Sequence, residues 1–258
     1  MLKGVLNFVG FAVAAVALFV GVRYVAWPMW VERTTDPVVA VDPAKLASLP
    51  ELDPARQAIV VSRDDKKRYV LSGYSRNADG AWELAKGPWQ VAIGARGFAE
   101  PEGRKEGDDT TPIGVYALTG AFGTADPPAT AFPYQLVTST SNDCWISDVD
   151  DPAYNTWVVR AGCDKPNMPL GTRTDGRFRL AIIFDFNTNS NLSGPMFLGR
   201  GSALFVHTFD QGDSLPRNDA GDVTGTYGGV ATSARHVRDL IAWLDPAANP
   251  RIVLGRVD

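Results

Sequence analysis

The sequence predicts a mainly β domain with one C-terminal helix, preceded by an N-terminal membrane-spanning segment. Three patterns lead there: short β-branched runs bounded by turn residues, one helical stripe near the C-terminus, and one long uncharged run at the N-terminus. With 25 Gly and 18 Pro among 258 residues, a fold rich in turns is favoured over a helical bundle. Apolar residues at 45% and charged residues at 21% form a globular composition and exclude a disordered chain. The 25 Lys+Arg against 29 Asp+Glu leave a net charge of −4, which argues against nucleic acid, since phosphates require a basic surface. Two Cys cannot make a four-cysteine zinc site and two His leave little for any other metal centre, so no metal is expected.

Taken in order, the first element is the uncharged run Gly4–Val22, flanked by Lys3 and Arg23. As a helix it would reach roughly 28 Å, close to the hydrocarbon thickness of a bilayer. Tyr24, Trp27 and Trp30 follow as an interfacial belt, and no small-x-small cleavage site follows Val22. Residues 1–27 are therefore expected to be an uncleaved single-pass anchor in the cell membrane, with the rest of the chain outside the cytoplasm; secretion after signal cleavage is the alternative. Residues 28–56 carry Pro28, Pro37, Pro43, Pro50 and Pro54 and read as a stalk, with a helical turn at Pro43–Leu49 capped by Asp42. The domain proper is expected over 57–258, as a monomer.

Its strands are expected at Gln57–Ser62, Arg68–Tyr74, Trp89–Arg96, Gly114–Leu118, Arg179–Phe186, Ala203–Phe209, Gly228–Thr232 and Arg251–Gly255. Val237, Leu240, Ile241 and Leu244 recur at helical spacing, with Ser233 or Thr232 as N-cap and Pro246 beyond the end. In an exported chain Cys144 and Cys163 are most simply a disulfide; a reactive thiol is the competing reading. Asp185–Asn191 begins like a calcium loop, but Ser190 and Met196 stand where glycine and glutamate are required, so it reads as a polar turn. The acidic stretch Asp210–Asp222 reads as a solvated connection, with a lid as the functional alternative. His236 is expected on the polar side of the helix, at the surface.

Three segments stand out together. Glu106, Gly107, Asp108, Thr111, Pro112, Gly114 and Tyr116 form the first; Trp145, Asp148, Tyr154 and Asn155 the second; Gly201, Ser202, Ala203 and His207 the third. On these residues the chain, over about Gln57 to Gly255, resembles the L,D-transpeptidase catalytic-domain family (YkuD type), which cross-links peptidoglycan stem peptides. The resemblance implies two packed β-sheets, acyl transfer and no cofactor. It implies a cysteine thiolate nucleophile, a histidine base and backbone N–H groups that hold the oxyanion. His207 maps onto the base, with Thr208 beside it to orient the ring. Trp145, Tyr154, Thr226 and Tyr227 map onto the substrate-binding surroundings, and Phe122 joins them as a candidate wall, although core packing is the default for any single aromatic.

One departure is decisive. Where the family's nucleophile motif reads T-x-G-C-V or S-H-G-C, this chain has Thr226, Tyr227, Gly228, Gly229 and Val230, so Gly229 stands at the cysteine position. Tyr227 stands where some relatives have a second histidine, and Ala231 where many have Arg or Asn. Without a side chain at 229 the family's covalent step cannot occur there. Three explanations follow: a non-catalytic relative that still binds glycan or stem peptide, a Cys→Gly change in an otherwise competent enzyme, or a nucleophile relocated to Thr226, Thr232 or Cys144. Outside enzymology, a wall-binding scaffold is the alternative.

Overall fold

The computed structural model describes residues 37–172, 176–190, 192, 194–209 and 215–257. The anchor expected at 1–27 and the stalk residues before 37 lie outside the described residues. Among the described residues no helix is long and apolar enough to cross a membrane. The packed body takes in Val38–Asp258. It opens with α1 (Pro43–Leu46), whose N-cap Asp42 accepts from the Ala44 N–H at 2.9 Å. Leu46, Leu49, Leu52 and Ala55 are buried and pack with Ala58, Val60, Tyr74 and Val253, so this stretch is part of the body's core.

The strands are β1 (Gln57–Arg63), β2 (Tyr69–Arg76), β3 (Trp82–Gln90), β4 (Phe98–Ala99), β5 (Thr111–Pro112), β6 (Gly114–Gly123) and β7 (Tyr134–Leu136). They continue with β8 (Asp143–Trp145), β9 (Trp157–Val159), β10 (Met168–Pro169), β11 (Ala181–Phe184), β12 (Phe205–Thr208), β13 (Val230–Thr232) and β14 (Arg251–Leu254). The large sheet is mixed and nine-stranded, in the order β13-β12-β11-β6-β14-β1-β2-β3 with β7 beside β6; β10-β8-β9 and β4-β5 form two small sheets. The chain is thus mainly β, and its mixed sheets are consistent with the expected sandwich of packed sheets.

Alternation explains why both faces of the large sheet are dry. On β1, Ile59 and Val61 enter one core while Ala58 and Val60 enter the other. Tyr116 and Val115 on β6, and Ile252 and Val253 on β14, divide in the same way. The three-stranded sheet covers the β11–β12 end, where Trp145 packs with Phe122, Ala181 and Phe205.

Ala92, two residues beyond β3, and Ala231 of β13 exchange both backbone hydrogen bonds (3.0 and 2.8 Å), so the segment after β3 bridges to the outer edge of β13. α2 (Ala234–Trp243) then packs on the main core through Val237, Leu240, Ile241 and Leu244, each buried. Its cap is Ser233, whose hydroxyl accepts from the His236 N–H. Ten residues are too few for a stable isolated helix; burying each aliphatic side chain contributes about 1.5–3 kcal/mol, so packing holds this one.

Candidate functional site

The site is made by the parallel pairing of β12 and β13. Val206 lies opposite Val230 and His207 opposite Ala231, which brings Gly229, one residue before β13, alongside His207. The His207 ring is buried, and its Nδ1 lies 2.8 Å from the Thr208 carbonyl oxygen. A carbonyl only accepts, so Nδ1 carries the proton and in the neutral ring Nε2 carries the lone pair. A Cβ placed on Gly229 would stand 3.0 Å from Nε2, 2.9 Å from Cδ2 and 2.8 Å from the Phe205 carbonyl oxygen. The imidazole is therefore in contact with the backbone at 229, and a side chain there requires the ring and β12 to give way.

The bend before β13 is tightly held. The Thr226 hydroxyl donates to the Gly229 carbonyl at 2.6 Å and accepts from the Gly228 N–H at 3.0 Å. The Thr111 hydroxyl donates to the Gly228 carbonyl at 2.8 Å. Thr226 also pairs through its backbone with Ile93 and Ala95. Gly228 has φ +129°, a conformation L side chains rarely adopt. Of the three positions considered for a relocated nucleophile, Thr226 is engaged in this bend. Thr232 is fully buried with its hydroxyl 2.9 Å from His236 Nδ1, and Cys144 is joined to Cys163 in a disulfide.

A cavity of about 380 Å³ opens on these residues, lined by Arg104, Arg177, Phe178, His207, Tyr227 and Gly229 among others. Tyr227 is 71% exposed at its rim, with the Arg177 guanidinium 5.2 Å from its ring centroid. Pro216 from the acidic stretch and Thr224 just beyond it also line the cavity. Among the described residues no cluster of His, Cys, Asp and Glu could hold a metal ion.

Several sequence expectations land elsewhere. Trp145 and Tyr154 are buried supports and do not line the cavity. Trp145 donates to Asn155 Oδ1 at 2.8 Å, and Tyr154 donates to Glu106 at 2.7 Å, holding that carboxylate at the cavity. Burial first, and then the Glu106 carboxylate, raise the Tyr154 phenol well above its ordinary range, so it remains a donor. Phe122 is core, while Phe178 and Phe205 form the apolar walls. The Thr208 hydroxyl bonds to the Gly176 and Arg177 carbonyls; the backbone carbonyl of Thr208 is what orients His207. His236 is not a surface residue: it is half-buried with its ring stacked 4.1 Å from Trp89. The polar turn at Asp185 is internal, and Asn187 donates to the Phe197 and Gly201 carbonyls, fixing the approach to β12.

Arg104 carried no role in the sequence reading. Its side chain is 2% exposed and ion-pairs with Asp108 at 3.1 Å. Burial alone would raise the Asp108 carboxyl, but bonds from the Lys105 and Thr110 N–H groups, the Thr110 hydroxyl and the Arg104 charge outweigh it and hold it below its usual range.

The model of the YkuD family, the L,D-transpeptidase catalytic domain, matches residues 56–253. The chain belongs to this family. A search of curated proteins finds no match, and neither does one of solved structures. Members of the L,D-transpeptidase family act on peptidoglycan stem peptides, and membership supports a peptidoglycan-modifying role.

Proposed function

We propose that this L,D-transpeptidase-family chain binds peptidoglycan stem peptides in the cavity beside His207 without forming an acyl-enzyme. The observation that carries the reading is the contact between the imidazole and the Gly229 backbone, in a place where a nucleophile's Cβ would have to stand. A covalent route needs a nucleophilic side chain within reach of its base, and glycine has none. Substrate shape and the base are separate assets, and the cavity, its aromatic walls and its charged lining do not depend on a thiol. The proposal includes delivery: the apolar run Gly4–Val22 holds the domain at the outer face of the membrane as a monomer, within reach of the wall.

The test is intact-mass measurement after incubation with a carbapenem and with muropeptides, alongside binding of the same muropeptides. Muropeptide binding with no added mass is expected, and a stable adduct on the unmodified chain would overturn the proposal. In Gly229→Cys, carbapenem acylation that disappears again in Gly229→Cys/His207→Ala is expected, with β12 and the His207 ring shifting by a few tenths of an ångström to admit a Cβ that would otherwise stand 2.8 Å from the Phe205 carbonyl oxygen. If neither ligand binds, a scaffolding role that does not involve stem peptides is the better reading.

A further inference from the structure

Resting on the stem-peptide reading, we propose that the cavity selects ligands ending in a free carboxylate, held by Arg104 and the Gly229 N–H beside His207. Three independent features of the lining point to an anion. The first is Arg104. Its Nε donates to Thr110 Oγ1, and Nη2 donates to the Thr110 carbonyl and Asp108. Nη1 makes a single long bond of 3.3 Å to the Arg200 carbonyl, so four of five N–H groups have acceptors among the described residues. A guanidinium this deeply buried with a donor to spare, on the wall of a cavity, is matched by a carboxylate.

The second is how closely the backbone wraps it. Gly201 has φ +121°, and a Cβ there would stand 2.6 Å from Nη1; at Gly228 a Cβ would stand 3.4 Å from Nη2. Gly201 lines the cavity and Gly228 immediately precedes Gly229, so guanidinium and imidazole flank the 228–229 stretch. The third is the Gly229 N–H, which has no acceptor among the described residues and opens on the same cavity. Against these donors stand two carboxylates, Glu106, which is engaged by Tyr154, and Asp108, which ion-pairs with Arg104 Nη2 and leaves Nη1 to the ligand. Arg177 adds a further cation to the lining, in a chain whose net charge is −4. A charge-assisted hydrogen bond is stronger than a neutral one, which gives the carboxylate its advantage over an amide of the same shape.

The experiment compares two muropeptides with three-residue stems, one ending in a free carboxylate and one in a carboxamide, by calorimetric titration into the full-length protein. At least tenfold tighter binding of the carboxylate is expected. Equal affinities would overturn this inference and leave the stem-peptide reading standing, whereas no binding by either ligand would overturn both. Arg104→Met is expected to remove the preference while the carboxamide still binds. If that variant does not fold, the ligand pair on the unmodified protein decides the matter alone.

Discussion

At the scale of single residues, the site depends on glycines that make room. Gly201 combines φ +121° with a Cβ position 2.6 Å from the Arg104 guanidinium. Gly201→Ala adds a strained backbone and a collision with a buried cation, and is expected to lower stability by roughly 2–4 kcal/mol in urea unfolding. Gly103→Ala is the control: no atom lies within 4 Å of its Cβ position and its φ is not positive, so a change within about 0.5 kcal/mol is expected. The same residues show what was legible in the sequence. The place of His207 on a strand was, because the run after Gly201-Ser202-Ala203 is apolar and β-branched, and the structure sets its ring beside the Gly229 backbone. Arg104 was not, since its burial is created by glycines at 201 and 228, far along the chain. Trp145 and Tyr154 misled for a related reason: an aromatic next to a motif is exposed or buried according to partners such as Asn155 and Glu106, which spacing does not reveal.

At the scale of elements, α2 behaves as its stripe predicts. Leu240 is fully buried against the curled sheet, so Leu240→Ala is expected to cost about 2–5 kcal/mol, while exposed Arg235→Ala stays within about 0.5 kcal/mol; chemical denaturation of both variants checks the contrast. β1 was equally legible, as an unbroken apolar run buried on both faces. β3 was not: Trp82–Gln90 reads WELAKGPWQ, with Glu, Lys and a Gly-Pro pair, and its residues after Trp82 are half-buried or exposed. It pairs because β2 offers an edge, with the register slipping around Gly73, and only its final Trp89 and Gln90 fell within the expected strand. The helical turn capped by Asp42 was read correctly from local chemistry, whereas the packing of Leu46 and Leu52 against β1 is a tertiary fact that a proline-rich composition hides.

At the scale of the whole molecule, acid sensitivity follows from paired carboxylates. Asp64 and Asp108 are both held below their ordinary value of 3.8; for each, burial acts upward but is outweighed, at Asp64 by Arg68 and at Asp108 chiefly by backbone donors. A lowered folded pKa contributes stability above the unfolded value, and that contribution is lost as pH falls through the folded one. Asp185, raised by burial, has the opposite sign: its contribution is present at low pH and lost as pH rises through its folded value. Asp151, lowered chiefly by the Ala153 N–H and then by Arg160, acts in the same direction as Asp64 and Asp108. With three groups against one, the denaturant midpoint is expected to drop as pH is taken from 5 to 3, and to drop less in Asp108→Asn; equal drops would mean that Asp108 is not a contributor. A last consequence belongs to the contact of Ala92 with Ala231. Strand borders are where sheet proteins recruit one another, through amide and carbonyl rows that lack partners. Here the segment after β3 covers the border of β13 at Ala231, next to the cleft, so crowding many copies onto one surface gives no template for fibre-like association at that place.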